Sequence, residues 1–244
     1  MHTFYLNQTG DAGATLPLPE EEARHALKVL RLSAGDEICA LDGCGHRFAA
    51  VLERVESDGA SVHLGQLLPS NEPEVRLTLY QGLPKADKLD WIVQKLTELG
   101  GAGCVPVKME RCVVKSDAKD GVKRRDRLQK IAREAVKQCR RADAPQVSEP
   151  LTWKQAFLQM EKHDLLLVPW EDASGLSMRQ VWKERPDATD IGVVIGPEGG
   201  MSAGEVEALC AHGARALTLG PRILRAETAA VASIAMAMTL WGDL

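Results

Sequence analysis

The sequence predicts an α/β protein in two parts, a small β-barrel followed by a larger domain on a mostly parallel sheet. Three observations carry that expectation. Up to about residue 68, apolar and polar positions alternate with the two-residue period of short strands. The stretch Pro69-Ser70-Asn71-Glu72-Pro73 then interrupts every regular pattern, because proline has no amide proton to give a central strand or a helix interior. Beyond it, strands and helices alternate, which is the pattern of a parallel sheet covered on both faces. The expected domains are therefore residues 1–70 and 74–244.

In the first part, Glu37-Ile38-Cys39-Ala40-Leu41, Arg47-Phe48-Ala49-Ala50-Val51-Leu52 and Ala60-Ser61-Val62-His63-Leu64 read as strands. Turns at Asp42-Gly43 and Ser57-Asp58-Gly59 separate them. A helix from about Glu20 to Leu32 sits among these strands and is expected to end at Ser33-Ala34-Gly35, where glycine suits a left-handed C-cap. In the second part, Val75 to Tyr80 is a strand, followed by a helix from about Lys85 to Leu99 whose apolar stripe is Leu89, Ile92, Val93, Leu96 and Leu99. Cys104 to Val107 is a short strand. A basic helix from about Arg124 to Arg140 buries Leu128, Ile131, Ala132, Ala135 and Val136, leaving arginines and lysines on its other face. Strands follow at Asp164 to Val168, Ile191 to Ile195 and Ala216 to Leu219, the last two each leading into a helix. The final helix, Ala229 to Leu240, is almost entirely small and apolar. Lacking a polar face for water, it must be buried in its own domain or against another subunit.

A chain of 244 residues, 45% hydrophobic and 26% charged, can bury a real core, which excludes a disordered protein. No apolar run reaches the roughly 18 residues needed to cross a bilayer, and Met1-His2-Thr3-Phe4 lacks the basic-then-apolar pattern of a signal peptide. The expectation is a cytoplasmic protein with no membrane partner. Six cysteines (Cys39, Cys44, Cys104, Cys112, Cys139, Cys210) form no C-x-x-C pair and no metal-ligand ladder, so they read as reduced thiols and no metal is expected. The net charge of −4 conceals an uneven distribution. Lys108 to Arg141 holds 13 Lys or Arg against 5 Asp or Glu, leaving 17 against 29 elsewhere. So dense a local patch can neutralise several phosphates and bind RNA despite the overall charge.

The chemistry concentrates in two loops. Val193-Val194-Ile195-Gly196-Pro197-Glu198-Gly199-Gly200-Met201-Ser202-Ala203-Gly204-Glu205 reads as strand, glycine loop and helix, with Ser202 and Glu205 at capping-box spacing. Glycines let a ligand approach the main chain, and in open parallel sheets the ligand crevice lies outside the carboxyl ends of the strands, where this loop falls. There is no Gly-Lys-Ser/Thr, and Gly196, Gly199 and Gly200 do not have G-x-G-x-x-G spacing, so the two familiar phosphate loops are excluded. Leu219-Gly220-Pro221-Arg222-Ile223-Leu224-Arg225-Ala226-Glu227-Thr228 is a second Gly-Pro loop between a strand and a helix.

With Lys95-Leu96-Thr97-Glu98-Leu99-Gly100, Glu110-Arg111-Cys112 and the closing Gly242-Asp243, these two loops make a sequence that resembles the SPOUT, or trefoil-knotted, methyltransferases. Within them it is most similar to the RsmE-type enzymes that methylate N3 of a uridine in 16S ribosomal RNA, and the resemblance spans the whole chain. It implies a PUA-like barrel, then a SPOUT domain with a C-terminal knot that periodicity alone would not suggest, and an obligate homodimer. It implies S-adenosylmethionine as cofactor, held by Val168, Pro169, Ile195, Gly196, Pro197, Glu198, Gly199, Gly200, Leu219, Gly220, Ile223, Leu224, Arg225 and Thr228. Arg225 or Arg222 is the candidate for stabilising charge on the uracil oxygens, and Glu227 is a candidate base or orienting group that would equally suit the first turn of the last helix.

The substrate implied is 16S rRNA of the small ribosomal subunit, with the target uridine extruded from its stack. Arg24, Arg31, Lys85, Lys88, Arg111, Lys115, Arg133, Lys137 and Arg140 are the candidate RNA contacts, and His25 is given no chemical role. The chain departs from the pattern at Thr3, where members usually carry an arginine, and at Arg140, where a glycine is common and the end of the basic helix is expected to differ in shape. Three alternatives stay open: another SPOUT specificity such as ribose 2′-O or guanine methylation, a non-catalytic RNA-binding or ribosome-assembly factor, and a nucleotide-binding enzyme with an unusual loop.

Overall fold

Strands that bury alternate side chains build the first sheet. In the computed structural model, which describes residues 1–6, 8–56, 59–85, 87–113 and 118–244, five strands share it. They are β1 (His2–Tyr5), β2 (Thr15–Pro17), β3 (Glu37–Leu41), β4 (Arg47–Val55) and β5 (Ala60–Leu68), in the order β1-β3-β4-β5-β2. Only β1 and β3 run parallel. Phe4, Ile38, Leu52 and Leu64 are fully buried at the centre of its core. At three and four residues, β2 and β1 are too short to show a period, and sequence patterning missed both.

The expected helix divides into α1 (Glu20–Arg24) and a π-helical turn, His25–Val29, in which the Leu30 amide donates to the His25 carbonyl at 3.0 Å. Its end corrects the sequence expectation. The helix closes on Arg31 (φ 57°), with the Leu32 amide returning to the Ala26 carbonyl at 3.0 Å, while Gly35 is left-handed as expected (φ 94°) but lies beyond the cap. The helix stops where its apolar stripe stops, so the cap falls on whatever residue comes next; Gly35, four residues later, serves a separate turn and donates to the Leu52 carbonyl.

The chain forms two compact units, one of Met1–Glu72 with Arg133–Ala144 and another of Pro73–Ala132 with Pro145–Leu244. Within the first unit a charge pair fastens the segment 133–144. The Arg141 side chain, 8% exposed, meets the Glu72 carboxylate at 2.5 Å, and Glu72 also accepts the amides of Ala142 (2.7 Å) and Asp143 (3.1 Å). Breaking such a pair leaves a charge without compensation, so Arg141 is a structural residue of this unit.

The second unit is a parallel sheet. Its strands are β6 (Arg76–Gly82), β7 (Gly103–Lys108), β8 (Gln146–Val147), β9 (Leu151–Thr152), β10 (Leu165–Pro169), β11 (Asp190–Ile195) and β12 (Arg215–Leu217). The order is β12-β10-β11-β6-β7-β8, with β9 also beside β7, and every pairing is parallel. The unit's helices are α2 (Lys88–Glu98), most of α3 (Ala118–Cys139), α4 (Trp153–Met160), α5 (Met178–Glu184), α6 (Ala203–Ala211) and α7 (Ala226–Trp241). Every residue of β10 is buried, as a strand covered on both faces requires. Val168, Val194 and Tyr80 share one core cluster with α4 and α6, whereas α7 packs on β6, β11, α2 and α5. No helix among the described residues is long and apolar enough to cross a membrane.

Arg140 just beyond α3 has φ 63°, and its amide donates to the Val136 carbonyl at 2.7 Å. The helix therefore ends on a left-handed residue, the conformation a glycine takes at least cost, and the arginine bears the backbone strain. Arg140→Gly is expected to raise the unfolding free energy by about 0.5–1 kcal/mol in a denaturant titration, with Arg140→Ala giving no gain.

Candidate functional site

Parallel pairing sets the geometry of the site. Pro169 of β10 lies beside Leu217 of β12, and Ile195 of β11 lies beside Gln81 of β6, so the chain leaves these strands on one edge of the sheet. The three loops that follow β10, β11 and β12, with the start of α7 and Lys88 of α2, wall a cavity of about 480 Å³. That volume falls within the roughly 300–1,000 Å³ typical of small-molecule sites.

Local sequence explains each wall. At the end of β6, a side chain on Gly82 would bring its Cβ to 2.5 Å from the Pro197 nitrogen, so the Gly196-Pro197 backbone can lie directly on the strand only because residue 82 is glycine. The loop then turns, with the Gly200 amide donating to the Pro197 carbonyl at 2.9 Å and Gly200 itself left-handed (φ 69°) against the Glu171 carboxylate. The predicted capping box is present. The Ser202 hydroxyl accepts the Glu205 amide at 3.3 Å, and the Glu205 carboxylate accepts the Ser202 amide at 2.9 Å. The other oxygen of the buried Glu205 accepts the Glu110 amide at 2.9 Å, while Arg111 donates to the Gly199 carbonyl at 3.2 Å, so the 110–111 segment braces this loop. In the loop after β12, the Thr218 hydroxyl accepts the Gly220 amide at 3.1 Å, and the Trp170 amide donates to the Leu217 carbonyl at 3.0 Å.

Charge is arranged around Lys88. Its ammonium lies 3.0 Å from Glu198 Oε1 and 3.1 Å from Glu227 Oε2, and Glu198 also accepts the Lys85 amide at 3.0 Å. Hydrogen bonding to Glu198, then to Glu227, raises the lysine above its ordinary value. Both acids are held below theirs. Burial opposes the charge in each, but for Glu198 the amides of Lys85 and Glu198 and the Lys88 ammonium outweigh it. For Glu227 its own amide, Lys88 and Arg225 do so. Lowering its pKa makes Glu227 a weaker proton acceptor, and its contact with Lys88 is one that could orient the start of α7.

Arg222 and Arg225 both line the cavity, and among the described residues no carboxylate stands within ion-pair distance of either. Of the other predicted cofactor residues, Pro169, Ile195, Gly196, Pro197, Glu198, Gly200, Leu219, Gly220, Ile223 and Leu224 line it as well. Three do not. Val168 is fully buried in the sheet core, Gly199 turns its carbonyl to Arg111, and Thr228 is exposed on α7. Trp170, at the strand end that the resemblance sets against the cofactor, lines it too, and Glu171, Met201, Thr218, Pro221, Ala226 and Ala229 complete the lining without having been singled out. The Trp170 indole nitrogen is buried with no hydrogen-bond partner among the described residues.

The predicted basic residues divide sharply. Arg24, Arg31, Lys85, Arg133 and Arg140 are exposed. Lys137 is 13% exposed and paired with Glu22 at 2.6 Å and Glu134 at 2.8 Å, so its charge is spent inside the first unit. Lys88 and Arg111 are engaged as described above, and Lys115 lies outside the described residues. Arg125 and Arg127 on α3 are likewise paired, with Asp126 and Asp90. The positive surplus offered to solvent is therefore smaller than the sequence count. No group of three or more His, Cys, Asp or Glu that could hold a metal ion occurs among the described residues.

Comparison with known proteins agrees with this geometry. A model described as an RNA methyltransferase domain matches residues 71–238, and one described as an RNA methyltransferase PUA domain matches residues 18–64. The chain is 34% identical over 237 residues to Ribosomal RNA small subunit methyltransferase E of Bacillus subtilis (strain 168), covering 94% of this chain and 93% of that protein. It is 30% identical to the protein of that name from Aquifex aeolicus (strain VF5), covering 98% and 99%. Among solved structures, Ribosomal RNA small subunit methyltransferase E from Neisseria gonorrhoeae bound to S-adenosyl methionine matches with a TM-score of 0.89 and 33% identity, covering 100% of this chain and 99% of the other.

Proposed function

We infer that this chain, which belongs to the RNA methyltransferase family, methylates N3 of one uridine in 16S ribosomal RNA of the small ribosomal subunit, with S-adenosylmethionine as the donor. The observation that carries this reading is the cavity of about 480 Å³ built from three strand-end loops with Arg222 and Arg225 in its wall.

The residues present suit the cofactor. Pro169, Ile195, Leu219 and Leu224 offer apolar surface to a flat ring, the glycine loops offer backbone groups at close range, and the unpartnered Trp170 nitrogen offers a buried donor. When bound, S-adenosylmethionine supplies a methyl group on a positively charged sulfur, which a nucleophilic nitrogen can displace. The task left to the protein is to favour uracil with its N3 proton removed. Arg222 and Arg225 do this as cations beside the uracil oxygens, since a nearby positive charge lowers the pKa of an acid. Glu227 orients the start of α7, on which Arg225 is the N-cap.

A wider reading accompanies the chemistry. The first unit, residues 1–70 by sequence, closes as a PUA-like barrel, and the chain's end passes through a loop as a trefoil knot. The seating of α7 on β6, β11, α2 and α5 supports the latter. Exposed Arg24, Arg31, Lys85, Arg133 and Arg140 contact RNA phosphates. The enzyme works in the cytoplasm, where ribosomal subunits are, and as a homodimer. The outward side of α7 supports the dimer, because Val231 and Leu240 are only half-buried and Met236 is 38% exposed on a helix with no polar face. Light scattering after gel filtration is expected to give twice the mass of one chain and to fall toward one chain for Met236→Glu; a wild-type mass of one chain contradicts the dimer.

The test of function is methyl transfer from labelled S-adenosylmethionine to small subunits and naked 16S RNA from a strain lacking this modification, followed by mass mapping. A single 3-methyluridine is expected, with the rate falling about 100-fold or more for Arg225→Ala. A different modified base removes the N3 assignment, and absence of cofactor binding points instead to an RNA-binding assembly factor.

A further inference from the structure

The sequence places Lys88 among the residues that would contact RNA phosphate. The structure gives its charge to two carboxylates instead. The ammonium lies 3.0 Å from Glu198 Oε1 and 3.1 Å from Glu227 Oε2, and Lys88 also lines the cavity. The two acids come from different walls. Glu198 belongs to the glycine loop after β11, and Glu227 to the first turn of α7, two residues after Arg225. Lys88 opens α2, and the same Glu198 carboxylate also accepts the amide of Lys85, just ahead of that helix.

We propose that Lys88 is a positioning residue, tying the loop after β11 to the start of α7 so that the cofactor cavity and Arg225 are held in one fixed arrangement. Without the lysine, two carboxylates of like charge remain near one another, and each wall is free to move away from the other. All three side chains are between 19% and 29% exposed, so water screens them only in part and the tether retains strength. The tether also removes Lys88 from general electrostatic capture of RNA, so its loss acts on cofactor binding and on turnover rather than on the salt dependence of RNA binding.

This inference rests on the methyltransferase reading, and the experiment separates the two. Hydrogen exchange, calorimetric titration with S-adenosylmethionine and steady-state methyl transfer are measured on the full chain for wild type, Lys88→Met and Lys88→Arg. Lys88→Met is expected to exchange faster at residues 196–200 and 226–230, to bind the cofactor roughly tenfold more weakly and to lose turnover, while the charge-preserving Lys88→Arg recovers most of each. Unchanged exchange in both segments of Lys88→Met overturns the tether, as does an arginine variant no better than methionine. If wild type binds no S-adenosylmethionine but exchange still rises in Lys88→Met, the tether stands and the cofactor reading falls. Should Lys88→Met not fold, the double variant Glu198→Gln with Glu227→Gln must loosen the same two segments; rigid loops there overturn the proposal.

Discussion

The parallel register of β10 with β11 on one side and β12 on the other is the constraint from which the site follows. A strand covered on both faces has no room for polar chemistry along its length, and all five residues of β10 are buried. Groups able to meet a polar ligand are thereby confined to the edge where the strands end. Parallel pairing brings the ends at Pro169, Ile195 and Leu217 to one place, and the loops that follow, well separated in sequence, become adjacent walls. Gly82 then lets one wall rest directly on the sheet.

The site's electrostatics separate cations that brace from cations that are available. Lys88 and Arg111 are held by Glu198, Glu227 and a backbone carbonyl, whereas Arg222 and Arg225 line the cavity with no carboxylate within ion-pair distance among the described residues. A charge that is not already neutralised can still meet charge on a ligand, which is why these two arginines are the pair proposed to act on the uracil oxygens. Glu198 and Glu227 are both held below their ordinary carboxylate values, each with the Lys88 ammonium among the causes.

Much of this was legible in the sequence because it rests on short-range rules. The Ser202–Glu205 capping box, the two Gly-Pro loops between strand and helix, and the buried stripe Leu89, Ile92, Val93 and Leu96 all follow from spacing alone. What failed depended on partners distant in sequence. Lys137 reads as one more positive charge until Glu22 is found 2.6 Å away, and Lys88 reads as a phosphate contact until two acids close on it. Glu171 carries no motif, since the loop after β10 has no glycine before Gly175 and becomes a wall only through strand pairing. The cap at Arg31 was missed because glycine preference is a bias of composition, while the place where a helix ends is set by where its buried stripe ends.

The central claim is that the edge formed by β10, β11 and β12 is the cofactor site. Its most direct test is calorimetric titration with S-adenosylmethionine of wild type and of Ala229→Phe, a variant that fills the cavity from α7 at a half-buried lining position. Saturable binding of one molecule per chain to wild type is predicted, with a loss of about 100-fold or more in the variant while its melting temperature is kept, since the added ring occupies ligand space. Unchanged affinity in Ala229→Phe would place the cofactor elsewhere and contradict the account.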